Sequence, residues 1–227
     1  MTSPAEQDSR FSSAVYGARI ARAAELARSA GLDGLVVTPG PDLRYLTGSR
    51  ADSFERLTAL VIAADTAKAS VVLPRLELAS LKESAVGDLG LTVLDWVDGV
   101  DPYAIVAAQL PTGAKVAVTD AMPALHLIPL ADTLGALPIL ATGVLRELRM
   151  VKDDAEIEAL RRAGAAIDRV HARMAEFLIV GRTEAEVGEA ISEAILEEGH
   201  TEAAFVIVGS GPHGADPHHE VSDRVIE

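Results

Sequence analysis

The sequence predicts a mixed-sheet α/β domain followed by a smaller unit of helices and one strand. Short apolar and β-branched runs alternate with helical patterns as far as about residue 142. Two of these runs are joined by a short polar turn at residues 64–68, which favours one antiparallel pair. From residue 143 the order becomes helix, helix, strand and loop. We therefore predict two domains, at residues 1–142 and 143–227.

Length and composition limit the possible functions. A chain of 227 residues is long enough for two folding units, and it has no cysteine, which suits a cytoplasmic protein. Its net charge of −14 argues against binding to nucleic acid, which needs clustered Lys and Arg. The first ten residues are polar and are expected to be loosely structured. They lack the basic-then-apolar order of a signal peptide, and we predict no membrane association.

In the first domain, a helix is predicted over residues 12–30, because its apolar residues form one stripe and Gly31 follows as a helix terminator. Pro39 and the three residues after it have the composition of a turn. Strands are predicted at residues 32–38, 57–63, 69–73, 91–94 and 115–118. Further helices are predicted at residues 75–86, 102–110 and 123–134, followed by a short apolar segment at 138–140.

The second domain contains two helices with recognisable starts. Asp153 with Glu156, and Thr183 with Glu186, each have the spacing of a capping box. An apolar strand is predicted at residues 203–208. The glutamates of the second helix are predicted to form its solvated face rather than an acid/base pair; they are Glu184, Glu186, Glu189, Glu193, Glu197 and Glu198.

A glycine-rich loop follows the predicted strand, and residues 209–214 match the pattern G-x-G-x-x-G. In a dinucleotide site these glycines open a helix that faces the pyrophosphate. Here Pro212 and Pro217 interrupt the segment and no amphipathic run follows, which argues against that site. The alternative is a loop in which glycines allow positive φ angles and close packing.

The same loop holds three of the six histidines, His213, His218 and His219. Together with Asp216 and Glu220 they could bind a metal, although adjacent side chains of an extended loop point in different directions. A histidine here could instead act in acid/base chemistry or contact a substrate, because imidazole titrates near neutral pH. A purely structural loop is the third interpretation.

These segments resemble a known family. Residues 148–157, the two helices and residues 205–223 look like the start of the catalytic domain of pita-bread metallopeptidases. That family includes Xaa-Pro dipeptidase (prolidase), Xaa-Pro aminopeptidase and creatinase. Residues 31–37 and 45–48 are similar to the creatinase/prolidase N-terminal domain. The resemblance implies a mixed-sheet α/β domain of that type, followed by an incomplete pita-bread (α+β) catalytic domain.

The resemblance also implies a mechanism and site residues. Family members use two divalent ions (manganese, cobalt or zinc), held by two Asp, one His and two Glu, to activate a water molecule. The histidine of a Pro-His motif contacts the substrate and stabilises the tetrahedral intermediate. That residue is His218, which follows Pro217. His219 is a neighbouring candidate for substrate binding, and His213 is assigned no role.

In this family all five metal ligands follow the Pro-His loop, so we expect no metal ligand among these 227 residues. We expect the chain to be the N-terminal portion of a cytoplasmic exopeptidase that hydrolyses small peptides before proline, inactive alone and homodimeric when complete. Two alternatives stay open. One is a non-catalytic binding or dimerisation module, and the other is an amidinohydrolase of the creatinase type.

Overall fold

A computed structural model describes residues 11–52 and 55–227. The first ten residues, which were expected to be loosely structured, lie outside the described part. The chain forms two compact units, one ending at Val151 and the other beginning at Lys152. The helices of the described residues all lack the combined length and hydropathy of a membrane span.

The N-terminal unit is built on a six-stranded mixed sheet with the order β4-β3-β2-β1-β5-β6. The strands are β1 Gly34–Val37, β2 Ala59–Ala63, β3 Ala69–Pro74, β4 Thr92–Trp96, β5 Val116–Val118 and β6 Ile139–Leu140. Strand β2 pairs antiparallel with both β1 and β3, and the other three pairs are parallel. The predicted hairpin and the predicted mixed α/β class are therefore confirmed.

Successive residues of a strand point to opposite faces of the sheet, so apolar strands give the sheet two apolar faces. Helices cover both faces. The helices are α1 Ser13–Ser29, α2 Pro41–Thr47, α3 Pro102–Ala107, α4 Ala124–Leu134 and α5 Thr142–Met150. Leu35 belongs to one apolar cluster with residues of α1, α2 and α5. Its neighbour Val36 belongs to a second cluster, with Val106 of α3 and Leu130 of α4. Strands β1, β2, β3 and β5 are therefore buried on both faces, which explains their continuous apolar composition, whereas the edge strands β4 and β6 include exposed residues.

Two segments of this unit differ from the sequence predictions. Residues 39–42 were predicted as a turn, but α2 begins within them at Pro41, a residue that suits the first helical position. The helix predicted at residues 75–86 is a 3₁₀ helix over Arg75–Leu81, and none of its residues is buried. Most helical stability in proteins comes from burying an apolar face, so an unburied segment gains little from a longer helix.

Helix α5 packs in the N-terminal unit, where Val144, Leu145 and Leu148 join the first apolar cluster. The compact unit thus extends to Val151. The predicted boundary of the two family domains, between residues 142 and 143, stays a prediction.

The C-terminal unit consists of α6 Asp154–Ala172, the short α7 Met174–Phe177, α8 Glu184–Glu197 and a 3₁₀ helix over Gly211–Ala215. Both predicted capping boxes are present, with reciprocal hydrogen bonds between Asp153 and Glu156 and between Thr183 and Glu186. Val170, Phe177, Val187, Ala194 and Val208 form the apolar core of this unit.

The strand predicted at residues 203–208 is wrong. The segment has no regular secondary structure, and Phe205 is 80% exposed. A strand needs a neighbour to satisfy its backbone groups, and the described residues of this unit form no ladder with the segment. Val206 and Val208 pack against the apolar core, so only part of the run is used in packing.

Candidate active-site loop and its buried carboxylate

The terminal loop, residues 209–222, is organised around the side chain of Glu184. Glu184 is the first residue of α8, directly after the N-cap Thr183, and its exposed fraction is 0%. A carboxylate at this position interacts favourably with the positive end of the helix dipole. The predicted solvated face of α8 is therefore wrong for this glutamate.

Five donor groups of the terminal loop face the Glu184 carboxylate. The backbone N–H and the hydroxyl of Ser210 donate to Oε1 at 2.7 and 2.8 Å. The Ser222 hydroxyl donates to Oε2 at 2.7 Å, and His219 Nε2 lies 2.8 Å from the same oxygen. His213 Nδ1 lies 3.1 Å from both oxygens. The carboxylate thus connects the beginning and the end of the loop.

The hydrogen bonds determine the charge of Glu184. Burial alone raises the pKa of a carboxyl group, but donation from Ser222, His219 and Ser210 outweighs burial. The pKa of Glu184 is consequently held well below its ordinary value. Glu184 is therefore an anion at neutral pH, and it can only accept hydrogen bonds.

Backbone contacts fix the far end of the loop and the residues after it. The N–H groups of Glu184 and Ala185 donate to the carbonyls of Arg224 and Ser222, both at 3.0 Å. These are among the first N–H groups of α8, which have no acceptor within the helix. Thr183 also forms an isolated antiparallel bridge with Val225. The start of α8 therefore holds the segment after the loop as well as the loop itself.

The three histidines of the loop have different environments. His213 and His219 face Glu184, and their ring centroids are 4.2 Å apart with planes tilted by 32°. His218 is exposed, and its backbone N–H donates to Asp216 Oδ1 at 2.9 Å. Among the described residues, nothing hydrogen-bonds the His218 imidazole. The structure therefore brings together His219 and His213, but not His218, at the carboxylate.

The sequence did contain a signal for the role of Glu184. The residue lies three positions before Val187 and ten before Ala194, so it falls on the buried stripe of α8. Grouping it with the other glutamates of the helix hid that spacing. His213, to which we assigned no role, is a second residue that sequence reasoning missed.

Glu184, His213 and His219 are the described residues whose potential metal-ligand atoms gather within 4.8 Å of one another. The family resemblance implies a pair of divalent ions, and these side chains do not fit one. A carboxylate has about four lone-pair positions, and five donors already face those of Glu184. The two ring nitrogens point directly at an anion, whereas a metal ligand must present an unprotonated nitrogen to the ion.

Comparison with known families gives matches along most of the chain. Residues 19–151 match the Creatinase/Prolidase N-terminal domain, and residues 158–227 match Metallopeptidase family M24. The "Probable dipeptidase PepE" of Mycobacterium tuberculosis is 68% identical over 217 residues, which are 95% of this chain and 57% of that protein.

Solved structures give the same result. Dipeptidase PepE from Mycobacterium ulcerans superposes with a TM-score of 0.90 at 66% identity, over 96% of this chain and 59% of that one. The recombinant prolidase from Thermococcus sibiricus superposes with a TM-score of 0.79 at 31% identity, over 93% of this chain and 58% of that one. The chain thus spans somewhat more than half the length of these relatives.

The six-stranded mixed sheet lies within the first matched region, and α8 with the terminal loop lies within the second. The chain belongs to the creatinase/prolidase family of pita-bread metallopeptidases.

Proposed function

We propose that this chain is the N-terminal portion of a metal-dependent exopeptidase that hydrolyses small peptides, with preference for a bond before proline. The names of the relatives support the peptide substrate, since they are a dipeptidase and a prolidase. The observation that carries the proposal is the exposed imidazole of His218 on a loop whose two ends are tied to Glu184 by Ser210 and Ser222.

His218 is the proposed catalytic residue of this chain. Its imidazole contacts the substrate and donates a hydrogen bond to the oxygen on which negative charge develops in the tetrahedral intermediate. A donor held in place before the reaction stabilises such charge without reorganisation. His218 suits this task because its backbone is tied to Asp216 while its ring is exposed.

His219 is the proposed second substrate-binding residue, with a narrower role. Its Nε2 is engaged with Glu184 and its side chain is 12% exposed. It can therefore offer a substrate only the remaining edge of the ring. Its larger contribution is to hold the backbone on the C-terminal side of His218.

The metal chemistry of the proposed enzyme belongs to residues outside this chain. Divalent ions, when bound, activate water and polarise the scissile carbonyl. We propose manganese, cobalt or zinc as the ion, and we propose that the chain alone does not hydrolyse peptides. We also propose a cytoplasmic homodimer; the absence of cysteine fits that compartment.

The proposal is tested with the chain alone and with a chimera. The chimera joins residues 1–227 to the portion of the Mycobacterium tuberculosis dipeptidase that follows the matched region. Both proteins are assayed with an Xaa-Pro dipeptide and a dipeptide without proline, with Mn²⁺, Co²⁺ or Zn²⁺. We expect no hydrolysis by the chain and metal-dependent hydrolysis by the chimera, faster on the Xaa-Pro substrate.

Three results would count against parts of the proposal. Metal-stimulated hydrolysis by the chain alone would contradict its inactivity. Equal rates on the two dipeptides would contradict proline preference. A folded chimera that binds metal but hydrolyses neither peptide would contradict the peptidase function and favour a binding module.

A further inference from the structure

Glu184 is the buried ion of the C-terminal unit on which the terminal loop converges. Its partners lie on both sides of His218 in the sequence, with Ser210 and His213 before it and His219 and Ser222 after it. Each partner is between 26 and 38 residues away from Glu184 along the chain. A single side chain therefore forms hydrogen bonds with both ends of the terminal loop.

The charge of Glu184 fixes the protonation of two histidines. Because the carboxylate is an anion and can only accept, each ring nitrogen that faces it must carry a proton. His213 therefore carries hydrogen on Nδ1, and His219 carries hydrogen on Nε2. In its neutral form, His213 then has its free lone pair on Nε2 and His219 has its free lone pair on Nδ1.

The hydrogen bonds leave little freedom to the backbone at His218. The next residue, His219, is held by its ring to Glu184, and the His218 N–H is held by Asp216. Asp216 in turn donates its backbone N–H to the His213 carbonyl at 3.1 Å, and His213 is itself a partner of Glu184. The carboxylate is therefore linked to His218 on both sides, by hydrogen bonds through His213 and Asp216 before it and by the peptide bond to His219 after it.

We propose that Glu184 is a positioning residue, whose ionised carboxylate holds the terminal loop through His213 and His219 and so sets the position of the His218 imidazole. The functional meaning rests on the role of His218 proposed above. The claim that Glu184 holds the terminal loop rests on the hydrogen bonds and does not depend on the role of His218. Misplacement of a catalytic group by about 1 Å can cost about 10²-fold in rate, so a fixed loop backbone has a direct catalytic value.

Packing supports the same role. A Cβ atom on Gly209 would lie 3.0 Å from the His213 carbonyl oxygen, and one on Gly188 would lie 3.0 Å from Val221 Cγ1. The loop therefore folds closely on itself near Ser210, and its far end lies directly against α8. These close approaches leave the loop little space for an alternative path while Glu184 holds it.

The test uses the ¹⁵N-labelled 227-residue chain and imidazole ¹⁵N resonances, which distinguish protonated from unprotonated ring nitrogens. In the unaltered chain we expect a protonated Nδ1 for His213 and a protonated Nε2 for His219. In Glu184→Gln, one of the two acceptor oxygens becomes an NH₂ donor. We expect the proton to move to the other ring nitrogen in at least one of these histidines, and the His218 resonances to shift or broaden.

Two further variants keep the test decisive. Glu189→Gln makes the same change at an exposed position of α8, and we expect it to leave the imidazole resonances of all three histidines unchanged. Ser222→Ala removes one donor and keeps the carboxylate. If Glu184→Gln fails to fold, we expect Ser222→Ala to preserve both tautomers while broadening the His219 signals.

The proposal is overturned if His213 or His219 presents an unprotonated nitrogen to Glu184 in the unaltered chain. It is also overturned if Glu184→Gln and Ser222→Ala both leave the imidazole resonances of the three histidines unchanged. If added Zn²⁺ or Mn²⁺ shifts the imidazole resonances of His213 and His219 together, the proposal is also overturned, in favour of a metal site. None of these readouts requires peptidase activity. Failure of the proposed function would therefore appear in the chimera assay and leave the histidine pattern intact.

Discussion

His219 Nε2 lies 2.8 Å from Oε2 of Glu184, although 35 residues separate the two in the sequence. The preceding residue, His218, is exposed. Two adjacent histidines therefore have opposite surroundings, one held by a buried anion and the other open to solvent.

The first prediction concerns acid stability. The pKa of Glu184 is lowered from 4.5, so the unfolded state binds a proton more readily than the folded state. The stabilisation from the carboxylate is fully present above about pH 4.5 and is lost as pH falls through that value toward the lowered pKa. We expect unfolding of the C-terminal unit below about pH 4.5 to take up close to one additional proton in the unaltered chain compared with Glu184→Gln.

This difference is measured by amide hydrogen exchange of α8 between pH 3 and pH 6. Glu189→Gln is the matched control and is expected to keep the acid dependence of the unaltered chain. An identical acid dependence in Glu184→Gln would show that the buried carboxylate is not the group that titrates on unfolding.

The second prediction tests the start of α8. Thr183→Ala removes the side-chain acceptor for the Glu186 N–H, a hydrogen bond of 3.1 Å. Loss of such a cap costs about 1 kcal/mol. We expect amides in the first turns of α8 to exchange roughly fivefold faster, because 1 kcal/mol corresponds to that factor in the opening equilibrium. Thr183→Ser keeps the hydroxyl acceptor and should leave the exchange rates nearly unchanged.

Much of the fold is predictable because its signals are local. The capping boxes of α6 and α8 depend on residues three positions apart, and the hairpin of β2 and β3 depends on a short polar turn. Local spacing is sufficient for such features. The resemblance of the Pro217-His218 motif to the family, and not spacing, led to the prediction of His218 as the catalytic residue, a role that stays a prediction.

The remaining features depend on contacts between distant residues. The apolar run at residues 203–208 has strand composition, but a strand forms only with a partner, and composition cannot supply one. Glu184 was grouped with solvated glutamates because its five donors lie far along the sequence. A buried carboxylate cannot be distinguished from an exposed one without knowing what surrounds it.

The third prediction concerns Gly211 in the terminal loop. Its φ is +52°, and a Cβ atom there would lie 2.6 Å from Arg224 Nη2. Gly211→Ala therefore introduces left-handed strain of about 1–2 kcal/mol and forces the Arg224 side chain to move. We expect faster amide exchange throughout residues 209–222.

Gly164→Ala is the control for that change. Gly164 lies in the exposed part of α6, and nothing lies within 4 Å of an added Cβ atom. Alanine there should stabilise the helix by up to about 1 kcal/mol. If both substitutions stabilise the C-terminal unit, the left-handed conformation of Gly211 is not a constraint on the loop.

The fourth prediction tests the core of the N-terminal unit. Leu60 of β2 is 0% exposed, and Leu60→Ala is expected to lower the free energy of unfolding by roughly 2–5 kcal/mol. Leu76 is 81% exposed, so Leu76→Ala should change it by less than about 0.5 kcal/mol. Trp96, the single tryptophan, is buried in this unit and reports its urea unfolding by fluorescence. Equal effects of the two substitutions would contradict the assignment of Leu60 to the core.

The last prediction concerns catalysis in the chimera with the mycobacterial dipeptidase. His218→Ala removes the exposed imidazole and leaves the bonds of His213 and His219 to Glu184 in place. A group that acts mainly on the transition state lowers kcat more than it changes KM. We expect kcat to fall about 10²–10³-fold, the usual loss for one hydrogen-bond donor to a developing oxyanion. Glu189→Gln, an exposed change on α8 outside the terminal loop, serves as the control and should keep kcat within about twofold, as surface substitutions away from the site usually have small effects. If His218→Ala instead raises KM and leaves kcat unchanged, His218 binds the ground state of the substrate and does not stabilise the intermediate.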